Sequence, residues 1–245
     1  MLNSAGFAAD AALLVAIAGS HRPVLGRATS RPVLAELRDG LRWIRGGTLL
    51  LRLILIIGAI SMVYEIALAQ LVLYVLEHLR LNESAFGLFG AISGIGGLAG
   101  ALLAPRLIAW WGRRTVLTGG LLAAGVCVAG MGLTADPVLA SALYGVFGIP
   151  VMAVNIVSAT VRHTAVPEPY LGRVLGAWRT VVFGTIPLGA LAGGLLAKAT
   201  PGTTAVFVTS GVLQVVLACV AWLLLRRFGP GLTPGPSSVH TGQKR

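Results

Sequence analysis

The sequence predicts an all-α membrane protein whose main body is a six-helix transmembrane bundle. Three observations point there. Of the 245 residues, 56% are hydrophobic and only 11% charged, where soluble chains carry about a quarter charged residues. The apolar residues are gathered in runs of about 20, the length that crosses a roughly 30 Å hydrocarbon layer as a helix. When these runs are threaded back and forth, all but Arg80 and Lys198 of the 19 lysines and arginines fall on one side. The positive-inside bias makes that side cytoplasmic.

Taken in order, residues 1–19 are mostly apolar but contain Asn3, Ser4 and Asp10. A signal peptide would need a charged start and a small-residue cleavage site, and the uncharged start and following Ser20-His-Arg-Pro argue against one. The expectation is a partial transmembrane helix. Residues 20–48 form a basic cytoplasmic linker, within which Leu34, Leu37, Leu41 and Ile44 recur at helical spacing. That spacing predicts an amphipathic helix lying at the membrane surface. Residues 49–228 hold six spans: Leu53–Leu76, Ala85–Ala109, Thr115–Thr134, Val138–Val161, Gly176–Ala197 and Ala205–Leu225. Their short connections make neighbours antiparallel. Residues 229–245, rich in Gly, Pro and Ser, predict a disordered cytoplasmic tail.

Composition excludes several functions. The net charge of +11 could suit nucleic acid, but the arginines sit in alternate short turns with no aromatic–basic platform. Acidic lipid headgroups are the better partner for that charge. Cys127 and Cys219 lie within different spans and fit small packing residues. No metal set, cofactor motif or nucleophile turn is present, and His21, His78, His163 and His240 are scattered through connections, linker and tail, so an enzyme is not expected. Gly94-Ile-Gly96-Gly97-Leu-Ala99 fits a dinucleotide pattern only in letters, because it lies inside an apolar span without the required strand and acid. Gly90, Gly94, Gly96 and Gly100 instead predict close packing on a partner helix.

Glu65 is the one acid deep in a full span. A charged carboxylate is costly there, which leaves two readings: a proton-coupling or substrate-contacting group, or a neutral acid hydrogen-bonded to a neighbouring helix. Asn155 and Gln214 are further cavity candidates. In the fifth span Pro187 lacks an N–H among Gly184, Gly189, Gly193 and Gly194, and Pro187 with Gly189 predicts a conformational hinge. Arg162 and His163 end the fourth span, Pro167 and Pro169 stop it, and Gly172 and Arg173 open the next. Gly112, Arg113 and Arg114 form a basic turn that sets topology.

Several of these segments carry a family resemblance. Pro167-Glu168-x-x-Leu171-Gly172-Arg173-Val174, followed by Pro187-Leu188-Gly189, resembles the turn between the tenth and eleventh helices of major facilitator superfamily exporters, nearest the drug and siderophore efflux permeases. Leu171 stands where that branch often has arginine. Glu36-Leu-Arg-Asp-Gly-Leu-Arg-Trp-Ile-Arg45 is similar to the end of the family's central linker, and Met1 to Phe7 resembles the middle of its sixth helix. Gly112-Arg113-Arg114 resembles the end of a cytoplasmic loop signature, with Ala109 and Trp110 in place of its aspartate and arginine. The resemblance implies the C-terminal half of a twelve-helix fold of two six-helix bundles, with the substrate site between them near the midplane.

Two functions stay open: proton-coupled efflux of a small amphipathic compound, by a half or truncated permease, and a non-transporting scaffold or regulatory module. Expected partners are membrane lipids, a small-molecule substrate, and a second such half or a second copy. The expected location is the cell membrane, with the C-terminus cytoplasmic. Cysteines introduced at Glu83 and Thr203 should then react with an impermeant maleimide on intact cells, and cysteines at Arg113 and Pro169 should not. External labelling at position 113 would invert the topology.

Overall fold

The computed structural model describes residues 33–200, 202–228 and 232. The expected partial helix over 1–19 lies outside the described residues, as do the linker before residue 33 and the tail from 229 except Leu232. Contacts divide the chain into Met1–Ala35 and Glu36–Arg245; the bundle belongs to the second unit.

Helix α1 is Val33–Gly46. The C-terminal part of its apolar face, at Leu41 and Ile44, packs on the bundle. Ile44 is buried in the core, Trp43 stacks on Tyr170 at 6.4 Å, and the α carbon of Gly40 backs onto the Arg173 carbonyl. Any β carbon at Gly40 would collide with that carbonyl, so glycine is what permits the docking.

The first span is α2, Thr48–Leu68. It continues past a break at Ala69-Gln70 through a turn at Leu71–Leu73 and a π-helical turn at Tyr74–His78. The next helical run, Glu83–Leu133, has 51 residues. A straight helix of that length would extend about 76 Å, more than twice the hydrocarbon thickness. Gly112 breaks it, with φ 77° and ψ 158°, a conformation open in practice only to glycine. The run is therefore two helices, α3 over 83–111 and α4 over 113–133. Then come α5, Pro137–Ala165, α6, Glu168–Ala199, and α7, Thr203–Leu225. Five helical runs are long and apolar enough to cross a membrane, and the break at Gly112 makes six crossings of them.

Neighbour contacts establish the reversal. Gly96 meets Gly145 and Gly100 meets Ile149, so α3 runs parallel to α5. Gly120 meets Val154 and Gly130 meets Leu143, so α4 runs antiparallel to the same helix. By the same reading α2 is parallel to α6, through Gly58 on Val181 and Gly193 on Ile66, and α4 is antiparallel to α7, through Gly125 on Gln214 and Gly132 on Phe207. The Ser210 hydroxyl donates to the Val63 carbonyl (2.5 Å) between α7 and α2.

Local chemistry fixes the ends. The Asn82 side chain accepts from the Ala85 amide (2.9 Å) to start α3, and Asp136 accepts from the Val138 amide (2.9 Å) to start α5, both satisfying amides that a first turn leaves unpaired. Helix α6 begins at Glu168, earlier than the Gly172 and Arg173 start expected from sequence, because Pro169 falls in its first turn, where a missing N–H costs nothing.

The core has two layers. One, at the basic end, gathers Ile44, Leu53, Leu117, Val157, Trp178 and Leu225, with Leu232 from the expected disordered tail buried in it. The other gathers Tyr74, Phe89, Met131, Phe147 and Phe207, where Tyr74 donates to the Met131 carbonyl (2.5 Å).

Of the four glycines expected to pack α3 closely, Gly96 and Gly100 do so against α5, while Gly90 and Gly94 face open space. Gly96→Val should therefore cost about 1–3 kcal/mol or more as backbone is forced apart, lowering the thermal midpoint of the detergent-solubilised protein. Gly94→Val should leave that midpoint unchanged; equal effects would remove the α3–α5 contact from the account.

Candidate functional site

Four helices form one wall, in the order α3, α5, α2, α6. On α2, Gly58, Met62 and Ile66 face α6, Val63 faces α7, and Tyr64 stacks on Phe147 of α5 at 5.3 Å. At 100° per residue, Glu65 falls in the arc between the α6 and α5 directions. On α5, Gly145, Gly148 and Ile149 face α3 and Phe147 faces α2, which puts Asn155 in the arc between them. Asn155 is exposed and Glu65 half-buried. Helices α4 and α7 stand behind this wall.

The structure brings Glu65 together with Gly189. The backbone of Gly189 lies against the Met62 carbonyl and the Glu65 β carbon, so α6 rests on α2 at the level of the carboxylate. Pro187, exposed, is two residues away, within a helix that continues through it to Ala199. The Glu65 carboxylate has no hydrogen bond or ion pair among the described residues. Asn155 lies eight residues beyond Phe147 toward the basic end, about 12 Å along the helix, and donates to the Val151 carbonyl (3.0 Å). Gln214 stands apart: it is 2% exposed, packed behind the wall beside Gly125, and its amide reaches the Ser210 hydroxyl at 3.5 Å.

Beside Glu65 runs a polar and aromatic strip that sequence reasoning missed. Tyr64 on α2 and Tyr144 on α5 flank Phe147 of α5, and Ser93 on α3 backs onto Gly148 of α5. Tyr144 stacks on Phe89 at 4.8 Å and on Phe147 at 5.9 Å. Each residue alone is ordinary in an apolar run; only the crossing of three helices makes them one group. Gln70 was also missed, with its side-chain carbonyl buried and unpartnered among the described residues.

The loop residues have structural tasks. Gly112 makes the α3–α4 reversal described above. Arg114 donates to the Arg226 and Phe228 carbonyls (3.1 and 3.3 Å), and Arg52 to the Leu224 carbonyl (2.6 Å). Both guanidiniums thus cover the negative end of α7. Arg113 is half-buried at the same turn, Gly172 is exposed within α6, and Arg173 supplies the carbonyl that receives Gly40. Arg162 lies over the Trp178 ring at 4.3 Å, a cation–π contact. All these cations sit at one end of the bundle.

A six-crossing bundle with one basic end is the architecture of a multi-pass membrane protein. A family model, the Major Facilitator Superfamily, matches the chain twice, over residues 4–183 and 53–243. The chain belongs to the major facilitator superfamily, a family of membrane transporters. No curated protein and no solved structure matches it.

The Gly189 contact generates a test of the hinge. In a complete transporter containing this bundle, Pro187→Ala restores a backbone donor without adding bulk and should slow transport severalfold while expression holds. Transport at the wild-type rate would show that α6 does not bend there.

Proposed function

We propose that this chain is one six-helix half of a proton-coupled efflux permease of the cell membrane, with its basic end and C-terminus in the cytoplasm. The observation that carries the reading is Glu65: a half-buried carboxylate without a partner, at the α2–α6 contact, on the wall that bears Asn155 and the tyrosine strip. An unpaired acid in hydrocarbon is expensive to keep charged, so its environment favours exchanging a proton as the wall opens and closes. The wall is otherwise apolar and aromatic and carries no fixed cation at that depth, which suits an amphipathic substrate.

The reading requires a second bundle. Phe183, Leu188, Leu191 and Leu195 are exposed along α6. Alternating access in this family rocks one six-helix half against another around a midplane site, and a single wall cannot enclose substrate. The glycines that could serve such a contact are Gly90, Gly94, Gly184 and Gly194, all facing open space; Gly96, Gly100, Gly189 and Gly193 are already used inside the bundle.

Glu65→Gln keeps the shape and hydrogen-bonding capacity of the side chain and removes its titration. Measured in proteoliposomes with an imposed pH gradient, drug export by the Gln variant should lose its dependence on the gradient. An unaltered pH dependence would make Glu65 structural. Vesicles holding only this chain, shown by crosslinking to be monomeric, should show no export, and export by a demonstrated monomer would refute the need for a second bundle.

A further inference from the structure

On the side of the bundle away from the wall, α4 and α7 enclose a groove of about 500 Å³, lined by Thr115, Gly119, Leu122, Cys219, Trp222 and Leu223 among others. Leu122, Trp222 and Leu223 are 41%, 50% and 48% exposed, and a β carbon at Gly119 would meet nothing within 4 Å. Its residues occupy the first turns of α4 and the last turns of α7, so it begins at the basic end of the bundle and reaches toward the middle. Its polar groups are two threonines, the Cys219 thiol and the Trp222 indole N–H, and the Thr118 hydroxyl is already bonded to the Arg114 carbonyl (3.0 Å).

The end of the groove is strongly cationic. Arg113 and Arg114 immediately precede Thr115, and Arg226 and Arg227 immediately follow α7. Arg114 and Arg52 already neutralise the carbonyls at the end of α7. Arg226 and Arg227 are therefore not needed there; both are exposed, and among the described residues neither side chain has a carboxylate partner. The tail that follows them carries no acid at all, adding Lys244 and Arg245. An apolar groove with the exposed Arg226 and Arg227 at its interfacial mouth matches one kind of molecule in a bilayer: an acidic phospholipid.

We infer that the α4–α7 groove is a binding site for an anionic phospholipid, with an acyl chain along Gly119, Leu122 and Trp222 and the headgroup at Arg226 and Arg227. The occupant stands on charge complementarity at the mouth, because a zwitterionic lipid would leave both arginines uncompensated. The site is on the side of the bundle opposite Glu65, so it is separate from the substrate wall.

Trp222 gives a direct readout. The full chain is reconstituted in phosphatidylcholine vesicles containing a minor fraction of lipid brominated on its acyl chains, either phosphatidylglycerol or phosphatidylcholine. The Trp222 signal is taken as the difference from Trp222→Phe. Brominated phosphatidylglycerol should quench that signal severalfold more than brominated phosphatidylcholine. Each of Arg226→Gln and Arg227→Gln should reduce the preference by about fivefold at most, the scale of one interfacial charge. Gly119→Leu, which fills open space, should weaken quenching by both lipids. Equal quenching by the two lipids in the wild-type chain would mean unselective boundary contact and overturn the site. A preference that survives the double arginine variant would also overturn it.

Discussion

The bundle depends on how closely helix backbones can approach one another. In hydrocarbon, two helices gain nothing by hiding apolar side chains from lipid that is just as apolar, so contact area must come from small residues. The glycines of this chain show the consequence in a repeated form. Gly96 sits on the Gly145 carbonyl, Gly100 on that of Ile149, Gly189 on that of Met62, and Gly193 on that of Ile66. Each pairing puts an α carbon against a carbonyl oxygen, a contact that adds a weak Cα–H···O attraction. A methyl group at any of these positions would occupy the oxygen's place. The docking of α1 through Gly40 on the Arg173 carbonyl obeys the same rule outside the spans.

These contacts also set where chemistry is placed. Because Gly189 brings α6 onto α2 beside Glu65, the β carbon of that residue is held at the contact between the two helices. Because Gly96 and Gly100 hold α3 on α5, Ser93, Phe89 and Tyr144 come to one level, and Tyr64 completes the group from α2. The aromatic stacking among Phe89, Tyr144, Phe147 and Tyr64 adds rigidity to the same level.

Much of this was legible in the chain itself. Span length and composition alone located all six crossings, since a run of some 20 apolar residues has few other uses, and the basic residues sorted their ends. The glycine pattern announced close packing on α3 but not which glycines would take part, because Gly94 and Gly96 differ only in which side of the helix they occupy. Gln214 looked like a cavity residue for the same reason; periodicity shows that it lies on a helix, not that α4 covers it. The start of α6 was misplaced because proline normally breaks helices, and only its position in a first turn makes it compatible with one. Tyr64, Tyr144 and Ser93 were invisible as a group, being widely separated in sequence and joined only by tertiary packing.

The reversal at Gly112 has a consequence for how the protein is made. Its two flanking helices are joined by a single residue in a left-handed backbone conformation, so there is no loop to hold one of them in water while the other waits. Arg113 and Arg114 follow that residue at once, so the end of α3 and the start of α4 are both pinned at the basic face by the same two charges. As the chain is made, the pair's orientation is thus set at one point, and a side chain added at position 112 would strain the turn that joins them.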